Sequence, residues 1–303
     1  MAAKEYITVL KDYAAGAVVE TIQIEMKTDK PIHEIYVTMT CDADTDLPTI
    51  AEMLTQFATT ITVKSGGASV VGMSAIDLWK MMSQARPAGI AAHQSDGTGA
   101  DNHIHPITIP IPLGPIGVFD DVHPDYGLDP RNKTVIVQLE IPADAAITER
   151  FYTIGFVSIE GKYPTKVVTR MTRTFTAAAT GEGMFVDLPS GPDSKLIDVA
   201  FFQTTSLQAG STTDATGIES FSLEINNEEK HLVDVLGLQL QTNTGNLSLA
   251  ASSPRTYLTY LYWNPSPPNS DEYAIPLPQK ARININAGVA EALRFFGGVS
   301  RKL

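Results

Sequence analysis

The sequence is poor in the features that would tie it to secretion or to a membrane. Its single cysteine, Cys41, cannot form a disulfide within the chain, so the fold must be held together by packing. No stretch approaches the roughly 20 apolar residues of a membrane-spanning helix. The N-terminal residues MAAKEYITVLKDY carry charges where a signal peptide needs an apolar core. These absences predict a protein that is soluble, or peripheral to some larger structure.

Basic charge and catalytic motifs are also scarce. The net charge is −12, whereas nonspecific binding to phosphate needs clustered Lys and Arg, and we expect no direct sequence-specific binding of nucleic acid. The motifs G-x-S-x-G, H-E-x-x-H, C-x-x-C and the P-loop are missing. Carboxylate pairs for glycoside hydrolysis are uninformative among 34 acidic residues. The sequence therefore predicts a protein that is not an enzyme and has no catalytic cofactor.

What the chain does have is turn-forming residues and short apolar alternations. The 22 glycines and 19 prolines favour many short strands joined by turns. The alternation of apolar and polar residues predicts strands with one buried face at residues 18–27, 34–40, 107–113 and 134–141. Helical spacing predicts short helices within residues 46–57 and 74–84. Pro110 and Pro112 cannot donate ladder hydrogen bonds, so their strand is predicted at a sheet edge or at a bulge.

One pattern of elements occurs twice. A strand that ends in a Gly turn and is followed by an amphipathic helix is predicted at residues 59–84, and a similar strand, Asn turn and helix at residues 219–236. Strand-like segments flank both copies in the same order. The pattern indicates two similar β domains in a chain of 303 residues, which is long enough for two cores.

About eight short strands in each half, joined by loops longer than hairpins need, favour sandwiches over up-and-down sheets. The predicted fold class is all-β, with two tandem jelly-roll domains, each an eight-stranded β-sandwich, and short inserted helices. We place the N-terminal jelly roll at residues 14–163, and the linker and C-terminal jelly roll at residues 164–303. The segment GKYPTKVVTRMTRTF is predicted to be the packed connection between them.

The order of these elements resembles that of the double jelly-roll major capsid proteins of membrane-containing icosahedral viruses, most of all the corticovirus type. The segments that carry the resemblance are SFSLEINNEEKHLVDVL, ITVKSGGASVVGMSAIDLWKMM, and RMTRTFTAAATGEGMFVDLPSG with KLIDVAFF. The resemblance implies a homotrimer that forms a pseudo-hexameric capsomer with six jelly rolls. It further implies partners in neighbouring capsomers, penton and minor capsid proteins and an internal viral membrane. The protein would be made in the host cytoplasm and located in the virion.

Two groups of residues are weak candidates for a metal site. Asp42, Asp44 and Asp46 have the alternating spacing of a calcium loop, but Leu47 replaces the expected glycine, so we favour a solvated turn. His103 and His105, with Asp101, could offer ligands on one face of a strand. Such a pair is more often exposed or hydrogen-bonded. A structural calcium ion is the one cofactor that we keep open.

Two further groups are candidates for contacts with partners. An acidic loop could bind a cation or a basic residue of a neighbour, and we favour an interface; its residues are Asp120, Asp121, His123, Asp125 and Asp129. Basic residues near the termini could face anionic lipid head groups at about 1 kcal/mol per charge, or could simply be solvated. These are Lys4, Lys11, Arg294, Arg301 and Lys302.

Two rival functions remain open from the sequence. A tandem β-sandwich that binds carbohydrate or acts in adhesion could use the aromatic run near Tyr260 and Trp263 as a sugar platform. Core and interface packing is the better interpretation of these aromatic residues, because strand alternation sends Tyr260 and Trp263 to opposite faces. A bicupin-like enzyme would need converging histidines, which would have to come from His33, His93, His103, His105, His123 and His231.

Overall fold

The structure is a computed structural model that describes residues 3–42, 50–85, 105–115, 122–143, 149–176, 183–203, 218–234, 258–262, 274–287 and 292–303. In chain order, the elements of the first half are β1 (Lys4–Ala15), β2 (Glu20–Glu25), β3 (Glu34–Asp42), α1 (Ile50–Phe57), β4 (Thr60–Ser65), β5 (Ala68–Met73), α2 (Ala75–Ala85), β6 (His105–Pro112), β7 (Val135–Ile141) and β8 (Glu149–Ile159). Those that follow are β9 (Lys166–Thr176), β10 (Gly183–Leu188), β11 (Lys195–Gln203), β12 (Ile218–Ile225), β13 (Glu228–Asp234), β14 (Leu258–Tyr262), β15 (Ile275–Pro276), β16 (Ala281–Ala287) and β17 (Ala292–Lys302).

The chain divides into two compact units. The first contains the described residues up to Thr169 together with Leu303, and the second contains those from Arg170 to Lys302. Strand β9 therefore begins in the first unit and continues into the second. The sequence placed the boundary between residues 163 and 164, before the start of this strand, because Pro164 and the basic residues around it suggested a connection.

In the first unit, eight strands form two four-stranded groups. One has the order β1-β8-β3-β6 and the other the order β5-β4-β7-β2. Strands that follow one another along the chain therefore alternate mostly between the two groups: β1, β3, β6 and β8 belong to the first, and β2, β4, β5 and β7 to the second. This exchange of strands between two antiparallel sheets is the jelly-roll topology.

The second unit repeats this order. Its groups are β14-β11-β17-β9 and β10-β16-β12-β13. When β9 is counted as the first strand and the two-residue β15 is left aside, the groups again hold strands 6-3-8-1 and 2-7-4-5. The short β15 pairs with β11 as an addition to the pattern. The predicted all-β fold of two tandem jelly rolls is confirmed.

The repeated element is a hairpin in both units, and the predicted second helix is wrong. Strands β4 and β5 are joined by Gly66 and Gly67, and strands β12 and β13 by Asn226 and Asn227. All four turn residues have positive φ, as a two-residue type I′ turn requires. Residues 228–234 continue as a strand, because this turn geometry and the cross-strand pairing prevail over the helix propensity of Glu and Lys.

The helices of the first unit are confirmed. Helix α2 begins after Ser74, whose Oγ accepts a hydrogen bond from the Asp77 N–H at 3.1 Å, the capping contact that the Ser-x-x-Asp spacing predicts. Leu78 and Met82 on this helix are fully buried, and Trp79 is half-buried. Helix α1 buries its predicted apolar residues, Met53, Leu54 and Phe57.

Strand β1 was missed by the sequence interpretation. It pairs only with β8 among the described strands, and along its 12 residues only Ala15 is buried. Two register shifts, at Thr8/Leu10 and Leu10/Tyr13, interrupt its alternation. A largely exposed edge strand with bulges has no clean period-two pattern, so its sequence gives little signal.

Each unit has an apolar core drawn from alternate strand residues. In the first unit, Val135, Val137, Leu139 and Ile141 of β7 are buried, as their alternation predicts, and Cys41 is also buried. In the second unit, one cluster joins β10, β11, β16 and β17 through Val186, Leu188, Leu196, Ile283 and Phe295. No described helix is long and apolar enough to cross a membrane.

Candidate functional site

Residues 122–132, which we call the junction loop, form an irregular segment of the first unit that is held by several main-chain hydrogen bonds. It is paired with the residues just before β3, where the Ile32 N–H donates to the Leu128 carbonyl at 2.9 Å and the Leu128 N–H donates to the Ile32 carbonyl at 2.7 Å. This short bridge places the loop beside the start of β3. The loop is therefore an ordered part of the first unit and not a flexible surface excursion.

The other side of the junction loop holds the linker, residues 160–166, through which the chain leaves β8 and enters β9. The Asp125 carbonyl accepts hydrogen bonds from the N–H groups of Thr165 at 3.0 Å and Lys166 at 3.1 Å. In return, the Gly127 N–H donates to the Lys166 carbonyl at 2.9 Å. The start of β9 is thus fixed to the first unit by main-chain hydrogen bonds, which depend on the loop's path and not on its side chains.

Gly127 is required where the loop passes closest to the main chain. Its φ is +149°, and a Cβ at this position would lie 2.2 Å from the Ile32 carbonyl oxygen. That distance is far inside van der Waals contact, so any other residue would push the loop away from residue 32. The glycine allows the loop to bond to Ile32 and to the linker at the same time.

Two histidines are buried in this region, His33 before β3 and His123 in the loop, with exposures of 1% and 7%. The Nδ1 of His33 accepts the Ile159 N–H at 3.3 Å, and its Nε2 lies 3.2 Å from the Pro124 carbonyl. Because Nδ1 accepts, the ring proton is on Nε2, which donates to Pro124. Burial lowers the pKa of His33 below its usual value; the backbone hydrogen bonds with Pro124 and Lys162 oppose this shift, and the charge of His123 adds to it.

His123 also accepts a backbone N–H group through its Nδ1 atom. Its Nδ1 accepts the Asp125 N–H at 3.1 Å, which shapes the turn that presents the Asp125 carbonyl to the linker. Its ring meets the Tyr126 ring edge-on, with centroids 5.1 Å apart. Both imidazoles therefore act as hydrogen-bond acceptors for the backbone, a role open only to the neutral form.

Side chains add two cation–π contacts between loop and linker. The Arg131 guanidinium lies 3.5 Å from the centroid of the Tyr163 ring, and the Lys166 ammonium lies 5.7 Å from that of Tyr126. Arg131 also binds both carboxylate oxygens of Asp129, at 2.9 and 2.7 Å. This pairing holds the pKa of the Asp129 carboxyl below its usual value.

A second buried polar cluster joins other loops of the first unit. Arg150, at 1% exposure, donates to the carbonyls of Gly16 at 2.7 Å, Pro142 at 2.9 Å and Gln56 at 3.1 Å. Tyr152 donates to the Phe57 carbonyl at 2.6 Å, and burial raises the pKa of its hydroxyl well above the usual value. The two side chains join the turn after β1, the end of α1 and the residue after β7.

The outer face of one sheet in the second unit carries an aromatic residue among paired polar groups. Phe185 on β10 is 56% exposed, and the Arg282 guanidinium lies 4.8 Å from the centroid of its ring. Arg282 binds the Glu224 carboxylate at 2.7 Å, which holds the pKa of that carboxyl below its usual value. Asn284 donates to both Glu224 and Ser222.

The structure describes three of the five predicted interface residues. His123 is buried, Asp129 is paired with Arg131, and Asp125 uses its main chain to hold the linker. These three residues form bonds within the chain, and a contact with a neighbour stays a prediction. Asp120 and Asp121 lie outside the described residues. No sequence motif pointed to His33 as a partner of this loop.

The predicted metal ligands fall mostly outside the described residues, including Asp44, Asp46, Asp101 and His103. Asp42 is the last residue of β3, and His105 is the first of β6. Within the described part of the chain, no three His, Cys, Asp or Glu side chains gather as a metal site would require.

The predicted membrane-proximal residues are spread along two strands. Lys4 begins β1 and Lys11 lies seven residues later, about 23 Å away in an extended strand. Arg294 lies near the start of β17, whereas Arg301 and Lys302 end it. Lys302 binds Asp193 at 2.6 Å. A membrane contact of the whole group stays a prediction.

Neither a protein-family model nor a curated protein sequence matches the chain. Several solved structures, however, are similar to the chain over nearly its whole length. The chain is similar to the major capsid protein P2 from bacteriophage PM2, with a TM-score of 0.64, 10% identity, and coverage of 99% of this chain and 98% of that one. It is likewise similar to the STIV MCP, with a TM-score of 0.68, 12% identity, and coverage of 99% and 97%. The chain has the double jelly-roll fold. A PBCV-1 virus capsid structure has the same architecture at 8% identity, with a TM-score of 0.59 and coverage of 100% and 95%.

Proposed function

We propose that the chain is a major capsid protein: a non-enzymatic building block that is located in the virion. One observation carries the proposal. Two jelly rolls of identical strand order follow one another in a single chain, and the match to capsid proteins extends over nearly the full length of both partners. The solved structures reported above are viral capsid proteins, so the carbohydrate-binding alternative gains no support from the comparisons.

Three copies of the chain form a trimer in this proposal, and the six jelly rolls of the trimer occupy the corners of a pseudo-hexameric capsomer. The duplication supports this arrangement, since two similar domains per chain let a three-fold assembly fill six nearly equivalent positions with one gene product. Neighbouring capsomers, penton and minor capsid proteins and an internal viral membrane complete the shell. A calcium ion at Asp42, Asp44 and Asp46 stays a prediction.

Exposed apolar side chains support self-association. Val18 and Val19, in the turn between β1 and β2, are 69% and 74% exposed, and Tyr6 on β1 is 73% exposed. Large apolar side chains that remain this exposed in one chain are typical of surfaces that are covered in an assembly. Phe185, backed by Arg282, offers a similar surface in the second unit, and aromatic and Arg residues are enriched at interfaces.

The proposal is tested by measuring the mass of the purified chain by light scattering. We expect three times the 32.7 kDa of one chain, or larger assemblies built from that unit. The double variant Val18→Asp with Val19→Asp should reduce the assembled fraction, whereas Thr21→Asp with Gln23→Asp, which adds the same charge at nearby exposed sites, should not. The proposal would be contradicted if the protein were a monodisperse monomer at every concentration and this monomer bound oligosaccharides.

A further inference from the structure

We propose that His33 and His123 form an acid-sensitive clamp, in which protonation of the two imidazoles releases the start of β3 from β8 and loosens the turn of the junction loop that holds the linker. The inference goes beyond assembly, because it concerns residues within one chain and holds whether or not the chain builds a shell. It rests on the two hydrogen bonds that the Nδ1 atoms accept and on the burial of both rings.

The first step is the state of the rings at neutral pH. The Ile159 N–H points at Nδ1 of His33, and the Asp125 N–H points at Nδ1 of His123. A backbone N–H can only donate, so each Nδ1 carries a lone pair and each ring is neutral. A proton added to either Nδ1 would place two N–H groups head to head at about 3 Å and break the bond.

The second step is the cost of charge at this place. Both rings are almost fully buried, and the charge of one disfavours the charge of the other. Among the described residues, the titratable and charged groups on the surrounding elements are Glu34 on β3, Asp125, Tyr126, Asp129 and Arg131 on the loop, and Glu160, Lys162, Tyr163 and Lys166 on the linker. Asp129 is already bound by Arg131, and the Asp125 side chain is exposed, so neither replaces the lost acceptor bonds.

The third step is what the bonds hold. Nδ1 of His33 ties the start of β3 to Ile159 of β8, and His123 shapes the turn at Asp125, whose carbonyl accepts the N–H groups of Thr165 and Lys166. Loss of the neutral rings therefore loosens the loop at the point where the linker enters β9. Because burial lowers the pKa of His33, the native state binds fewer protons at this residue than the unfolded chain, so its stabilising effect is complete above the ordinary histidine pKa of about 6.5 and is lost as the pH falls below it.

The experiment is hydrogen exchange of the full chain at pH 7.5 and pH 5.5, corrected for the intrinsic effect of pH. We expect the amides of Gly127, Leu128, Thr165 and Lys166 to exchange faster at pH 5.5, by up to about tenfold for each histidine, because pH 5.5 lies about one unit below the ordinary histidine pKa of about 6.5. Amides of β10 and β16 serve as the internal control and should not change.

The double variant His33→Asn with His123→Asn removes titration and keeps a side-chain oxygen near each Nδ1 position, so its loop should show no dependence on pH. The proposal would be overturned if the exchange rates of the wild-type loop were the same at both pH values, or if they changed equally in the variant. If the variant does not fold, NMR of the wild-type imidazoles decides. Nε2–H tautomers that resist protonation below pH 6.5 support the proposal, and titration at the ordinary value overturns it.

Discussion

The two jelly rolls share their strand order but use arginine in different ways. Arg150 in the first unit is buried and donates to three main-chain carbonyls, whereas Arg282 in the second lies at the surface and binds Glu224. The common topology follows from strand pairing and apolar alternation, which both units have. The polar supports belong to each unit separately. A duplicated fold can therefore keep its framework while the groups that hold its loops diverge.

The largest contrast is expected between these two arginines. Arg150→Met should lower the free energy of unfolding by about 3–5 kcal/mol, because it leaves buried carbonyls of Gly16, Gln56 and Pro142 without a donor. Arg282→Met should cost less than about 1 kcal/mol, since its ion pair is partly solvated. Urea unfolding of the two variants measures the difference. Equal losses would show that Arg150 is not the support that its burial suggests.

A second contrast separates two glycines with positive φ. Gly127→Ala should cost about 2–4 kcal/mol through strain and the clash with the Ile32 carbonyl. Gly161 has a φ of +67° and open space at its Cβ position, so Gly161→Ala should cost only about 1–2 kcal/mol. Thermal unfolding would reveal both effects. If Gly161→Ala were the more damaging change, the close approach at Gly127 would not limit the loop.

Tyr152 sharpens the comparison within the buried cluster. Tyr152→Phe keeps the ring, which packs edge-on against Phe57, but removes the hydroxyl that donates to the Phe57 carbonyl. We expect a loss of about 1–2 kcal/mol, less than for Arg150→Met, because one neutral hydrogen bond is lost instead of three charged ones. Chemical denaturation of both variants in the same buffer shows which substitution lowers the free energy of unfolding more. A larger loss for Tyr152→Phe would reverse the ranking of the two side chains.

The smallest effect is expected at the matched hairpin turns. Asn227→Gly should stabilise the protein by a few tenths to about 1 kcal/mol, because glycine adopts the φ of +63° without steric cost. The reverse type of change in the first unit, Gly67→Ala, should destabilise it by about 1–2 kcal/mol. Melting temperatures should therefore move in opposite directions. A shift of the same sign in both would contradict the shared turn type.

The alternation of apolar residues was sufficient to predict most of the framework. Val135 to Ile141 and the prolines of β6 fell where the pattern placed them, since a strand with one buried face imposes its period directly on the sequence. The strand at residues 228–234 was not predicted, because Glu, Lys and Leu are also good helix formers. Their strand is set by the Asn226–Asn227 turn and by pairing with β12.

The polar clusters could not be predicted in the same way. Arg150 opens an apolar strand, but its three acceptors come from residues 16, 56 and 142, far apart along the chain. His33 and His123 are 90 positions apart and meet only through the jelly-roll connections. Main-chain acceptors leave no mark on the sequence. The acidic residues of the loop at 122–132 were predicted to contact a neighbour, which stays a prediction; the hydrogen bonds between this loop and the chain's own linker were not predicted from the sequence.

Electron microscopy of the purified assemblies tests the central claim most directly, since it shows how many jelly rolls one particle contains. We predict particles of three chains whose projections have a hexagonal outline, with six similar densities around a central axis. Particles of one chain, with two densities and no rotational symmetry at any protein concentration, would contradict the account.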